Sequence, residues 1–315
     1  MGALAFAAWV LRGEREDIAL VLGWARRSGV AIIAGGLIEL VAQTNLEAVG
    51  DWGATFSGSN ARAALASSFG IAVALRIVGG VLLLTGTRMT TRPVVAPAAD
   101  LAVPQAALIG VGGAQPSAAD RPPPPATGGD RAWQPSPASS MALVGVGLIL
   151  ASHIFGGHTV TEGYRPLTAI LDTIHVAAAA IWAGGLVMII AVSWKRFVED
   201  RSLRTGELAV RFSVVAAAAL AAVTVAGLGL SIIILDAPAE LWTTPWGRLL
   251  VAKVAFAGVA IAAGAYNHRV LVPALHADPD DESVVTRFRT AVAAEVALLL
   301  VVGVLTAFLV GASSV

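Results

Sequence analysis

Asp172 and His175 stand three residues apart in AILDTIHVAAAAIWAGGLVMII, a stretch whose Leu171 to Ile190 portion is apolar enough to cross a bilayer. At i and i+3 their side chains share one face of a helix, and Trp182 continues that face seven residues beyond His175. A carboxylate beside an imidazole fixes the ring tautomer and leaves the other nitrogen to bind a proton or a metal. Each ionisable group inside a span costs at least ~2.5 kcal/mol on insertion scales, and such groups mark functional sites.

Two more histidines, His153 and His158, flank Gly156 and Gly157 in SHIFGGHTVTEGYRP, the segment that leads into this span. The glycines are expected to break the helix, so the two rings need not point in opposite directions. His153, His158 and His175 therefore converge on one region. With Asp172 and Glu162 they make a donor set for a transition metal, and imidazole suits copper, zinc, iron and nickel alike. His153 and His175 on facing helices would also serve as the two axial ligands of haem b, which is the reading of an electron-transfer protein. The chain has no cysteine, so thiolate metal sites and covalent c-type haem attachment are excluded.

The remaining charges within apolar runs read as structural. Glu39 and Arg76 sit near the middle of their spans and are expected to pair, because either charge buried alone would be costly. Lys253 falls at a depth where Asp172 can neutralise it. Glu295 lies near the inner end of the last span, with Arg211 as its expected partner. Met188 reads as core packing. His268 and His276 fall in YNHRVLVPALHADPDDES, which reads as a solvated loop together with its acidic run.

The elements that must hold these residues follow from composition. Of 315 residues 57% are hydrophobic and only 13% charged, against about 25% charged in soluble domains, and mean hydropathy is +0.77. Apolar runs of about 20 residues match a hydrocarbon core of roughly 30 Å, and they do not alternate as barrel strands would. The fold expected is an all-α, polytopic transmembrane helical bundle set in the lipid bilayer. Seven full spans are read at 28–46, 63–86, 141–156, 167–193, 212–235, 247–267 and 290–312, the third of them short. Residues 3–11 read as a truncated eighth. The opening MGALAFAAWVLRGERED lacks a basic n-region and a small-residue cleavage site, so it does not read as a signal peptide.

Residues 88–140 are rich in Pro, Gly and Ser and are expected to be a disordered linker. The linker divides an N-terminal part, 1–87, from a five-span part, 141–315. Most of the 21 Lys and Arg residues fall on one side if spans alternate: before the first full span, in the linker, between spans four and five, and between spans six and seven. The positive-inside rule makes that side cytoplasmic and the C-terminus external. His153, His158 and the Asp172–His175 turn then face outward.

Net charge is zero, which gives no electrostatic footprint for nucleic acid. There is no Ser/His/Asp constellation, phosphate loop or HExxH, so no enzyme is expected. The lack of a nucleotide-binding module argues against an ATP-driven pump.

SHIFGGHTV…LTAILDTIHVAAAAIWAGGL, VRFSVVAAAAL, WTTPWGRLLVAKVAFAGVAIAAGAYNHRVLVPAL and RFRTAVAAEVALLLVVGVLTAFL, in that order, closely resemble the copper resistance protein D (CopD) family, and ASSFGIAVALRIVGG resembles its N-terminal half. The resemblance implies a bacterial inner-membrane protein for copper uptake or tolerance. It assigns metal handling to His153, His158, Asp172 and His175, names copper as the metal, and points to a separate periplasmic CopC-like protein as copper donor. The expected function is copper transport or delivery without ATP. The alternatives are the haem b protein and a membrane assembly factor that passes copper to a cuproenzyme.

Overall fold

The structure is a computed structural model that describes residues 1–88, 90–93, 131–155, 165–202, 204–278 and 281–312. The described residues are almost all helical: α1 (Gly2–Ala5), α2 (Arg15–Glu47), α3 (Trp52–Thr55), α4 (Gly58–Ala66), α5 (Ser68–Gly86), α6 (Pro137–Ala151), α7 (Arg165–Val198), α8 (Thr205–Ile234), α9 (Glu240–Thr243), α10 (Pro245–Tyr266), α11 (Val272–Ala277) and α12 (Glu282–Ala312). Six helices among them are long and apolar enough to cross a membrane, and Ser139–Phe155 forms a shorter apolar one. The class is an all-α helical membrane protein.

Helix starts obey local chemistry. Ser67 Oγ accepts from Gly70 N at the head of α5. Thr244 Oγ1 accepts from Gly247 N at the head of α10, where Pro245 fills the position whose N–H would be orphaned in any case. The strongest packing joins α5 to both α2 and α6, α7 to α8, and α10 to α12. Small residues set the closest of these approaches. A Cβ on Gly79 of α5 would lie 2.6 Å from the Gly145 carbonyl oxygen of α6, so the two backbones touch there.

Three boundaries differ from the sequence reading. The helix that carries the first span begins at Arg15, well before 28, because Ile18, Val21, Leu22 and Ala25 form a buried stripe that the intervening charges hide from a hydropathy window. The 3–11 segment is α1 followed by a π-helical turn, Phe6–Val10, and is too short to cross a bilayer; Leu4, Phe6, Ala7, Val10 and Leu11 lie buried in the core. The segment after span six is helical as well. A π-turn at Asn267–Leu271 runs on into α11, where Pro273 cannot donate a backbone hydrogen bond and the looser turn absorbs its misfit.

The ends of the expected linker carry structure: Thr91–Pro93 pairs antiparallel with Arg131–Trp133, and α6 starts at Pro137. Residues 94–130, the bulk of that linker, lie outside the described residues.

Candidate metal-handling site

His153 sits in a 3-10 turn, Ser152–Phe155, that ends α6. The turn is fastened from the side. Ser152, fully buried, donates from Oγ to Ile149 O at 2.6 Å and accepts from Arg76 Nε at 3.1 Å. Arg76 of α5 is in turn ion-paired with Glu39 of α2. A polar chain thus runs from α2 through α5 to the residue preceding His153.

Across from that turn, His153 Nδ1 lies 3.6 Å from Asp172 Oδ2 of α7, both side chains about a third exposed. One turn further along α7, the His175 Nδ1 is 3.0 Å from the carbonyl oxygen of Val223 in α8. A carbonyl can only accept, so the Nδ1 carries the proton and, in the neutral ring, Nε2 keeps its lone pair. Asp172, the expected orienting group for His175, faces His153 instead. The ring is seated over Gly227, where a Cβ would come within 3.0 Å of it. Lys253 of α10 interacts electrostatically with both Asp172 and His175. The result is one neighbourhood made by α7, α8, α10 and the end of α6.

His158 and Glu162 lie outside the described residues. Among the described residues no three His, Asp or Glu side chains group closely enough to hold a metal ion.

Below this neighbourhood α7, α8, α10 and α12 surround a cavity of about 240 Å³. Trp182, itself buried, lines it with Leu186, Ile189 and Phe212. Met188 is buried in the core. Glu295 also lines the cavity. Its partner is not Arg211: Asn267 Nδ2 donates to Glu295 Oε2 at 3.2 Å. The helix carrying Glu295 begins at Glu282, which places the residue near the middle of that helix.

Sequence reasoning missed a second charged cluster. Asp17, fully buried at the head of α2, accepts from Arg196 Nε at 3.0 Å and Nη2 at 2.8 Å, and from Arg201 Nη2 at 2.9 Å. Arg201 also meets Glu14 and Glu199. Burial works against its charge, but Asp17, Glu14 and Glu199 together hold the guanidinium above its ordinary range. Nearby, Arg12 is pushed below its ordinary range, by burial first and then by Arg211 and Arg92. The one signal in the sequence is charge complementarity between GERED and WKRFVEDR, which spacing alone cannot join.

Residues 206–309 match the family model for Copper resistance protein D, CopD. This segment is similar to the CopD family. No curated protein and no solved structure matches the chain. The CopD segment runs from the start of α8 to near the end of α12, so it includes Val223, Gly227, Lys253, Asn267 and Glu295. His153, Asp172 and His175 precede it; His175 meets it at Val223 and Asp172 interacts with its Lys253.

Proposed function

We propose that this protein transports or delivers copper without ATP, loading the ion where the end of α6 meets the start of α7. His153, His158 and His175 supply imidazole nitrogens. Asp172 lowers the positive charge of the loaded site, and Lys253 beside it keeps the empty site from accumulating negative charge. Orientation by the positive-inside rule puts this mouth on the external face of a bacterial inner membrane, with the basic loops and the 88–140 linker on the cytoplasmic side. A separate periplasmic CopC-like protein would supply the ion.

The observation that carries this reading is the His175 ring. Its Nδ1 proton is committed to a carbonyl of the CopD segment, which presents Nε2 as a ligand and fixes its direction. Copper is cargo here, so the site needs few fixed ligands and an exit. Metal analysis of purified protein beside the H153A/H158A/H175A variant tests the site, with bound copper expected only in the unaltered protein. Copper accumulation in cells carrying His175→Ala tests the function, and unchanged accumulation would sink the assigned role.

A further inference from the structure

The cavity between α7, α8, α10 and α12 ends on a polar pair that copper loading does not use. Glu295 is 3% exposed and Asn267 5% exposed, and both line the cavity. The Asn267 amide donates to Glu295 Oε2, while Asn267 Oδ1 is buried with no hydrogen-bond partner among the described residues. The other carboxylate oxygen, Oε1, fills the hollow left by Gly264, where a Cβ would sit 2.9 Å from it. No basic side chain lies within ion-pair distance of Glu295 among the described residues.

The groups facing Glu295 are therefore one-sided. Two acceptor groups share a single donor. From α7 the cavity presents Trp182, Leu186 and Ile189, and from α8 Phe212, Ser213 and alanines, none of which carries charge. Of all the lining residues only Glu295 and His268 titrate, and His268 is exposed. A buried carboxylate with no counter-charge in a membrane span demands a positive partner, and the smallest is a proton. Buried carboxyls of this kind form the proton relays of transporters.

We propose that Glu295 is a proton-binding site that couples copper movement to proton movement, loaded through the cavity from its exposed His268 side. On loading, a proton from cavity water forms an O–H bond on a Glu295 carboxylate oxygen and leaves a neutral carboxylic acid. On release that bond breaks and the proton returns to water, with no change of oxidation state anywhere. Asn267 is the positioning residue: it holds the carboxyl through Nδ2, and its free Oδ1 receives the O–H or a water that carries the proton. This rests on the transport reading above and supplies the driving ion that a protein without ATP would need.

Two measurements on the full-length protein decide it. In liposomes containing only this protein, an imposed pH gradient should change the initial rate of copper uptake. Glu295→Gln should abolish that dependence while leaving copper loading at the outer histidines intact, and Glu295→Asp should retain part of it. Gradient dependence unaltered in Glu295→Gln overturns the proposal and leaves the transport reading standing. Infrared difference spectra between acid and alkaline pH should show a carboxylic C=O band that Glu295→Gln lacks and Gly264→Ala shifts. If wild-type liposomes move no copper, transport and its coupling both fall. The infrared titration then still decides whether Glu295 binds a proton, and the absence of that band from the wild type overturns the proton site itself.

Discussion

Arg76 donates from Nε to the Ser152 hydroxyl, one residue before His153, while its other end is ion-paired with Glu39. The N-terminal helices therefore reach the candidate site through this guanidinium as well as through the packing of α5 on α6. Arg76→Leu would leave Glu39 without its counter-charge and Ser152 without a donor, at a cost of ~1–3 kcal/mol for the stranded partners. Removing Glu39 as well, in a Glu39→Leu/Arg76→Leu double variant, should recover much of that loss, because no charge is then left alone. Thermal unfolding in detergent measures both. A double variant that is less stable than Arg76→Leu would show that the pair contributes more than its desolvation costs.

The class of fold and the residues of this pair were legible in the sequence, because hydrocarbon penalises unpaired charge so strongly that Glu39 and Arg76 each predicted the other. The seating of His175 was not. Its partner is a main-chain carbonyl at Val223, and backbone acceptors carry no sequence signature. The Asp17 cluster was hidden for a different reason: its members are separated by 179 and 184 positions, and their charges read locally as ordinary loop ends. The extension of α2 to Arg15 was obscured by those same charges.

Gly227 tests how tightly the His175 ring must be aimed. An alanine there would place a methyl within 3.0 Å of the imidazole, so the ring must turn or α7 and α8 must separate. Groups that orient a metal-binding histidine are typically worth ~10–100-fold in affinity. Gly227→Ala is expected to weaken copper binding by that order while the helical circular dichroism spectrum stays unchanged. Unchanged copper affinity would mean that His175 is not aimed by this contact.

Copper loading should fail in acid. The histidines bind metal only through unprotonated nitrogens, so protons compete with copper at Nε2, and affinity should fall as pH drops below about 6. The sign is fixed: acid releases metal and neutral pH restores it. Equilibrium dialysis against copper across that range measures the effect. Binding that is flat with pH would point to ligands other than imidazole.

Asp17 is expected to carry a large stability effect. It is fully buried between Arg196 and Arg201 and is their shared counter-charge, tying the head of α2 to the end of α7. Replacing it by alanine removes the carboxylate that takes two hydrogen bonds from Arg196, itself only 3% exposed, and breaking a buried pair on one side typically costs ~3–5 kcal/mol. The cost should appear locally first. Once the cluster is lost, residues 1–14 are held by the buried α1 and π-turn side chains and by the Gly13–Arg131 backbone pairing, so trypsin should cut Asp17→Ala at Arg12 or Arg15 under conditions that leave the wild type intact. Asp17→Glu keeps the charge but lengthens the side chain in a filled site, and it should fall between the two. Equal resistance of Asp17→Ala and wild type to trypsin would show that apolar burial of Leu4, Phe6, Val10 and Leu11, with the Gly13–Arg131 pairing, is enough to anchor the N-terminal segment.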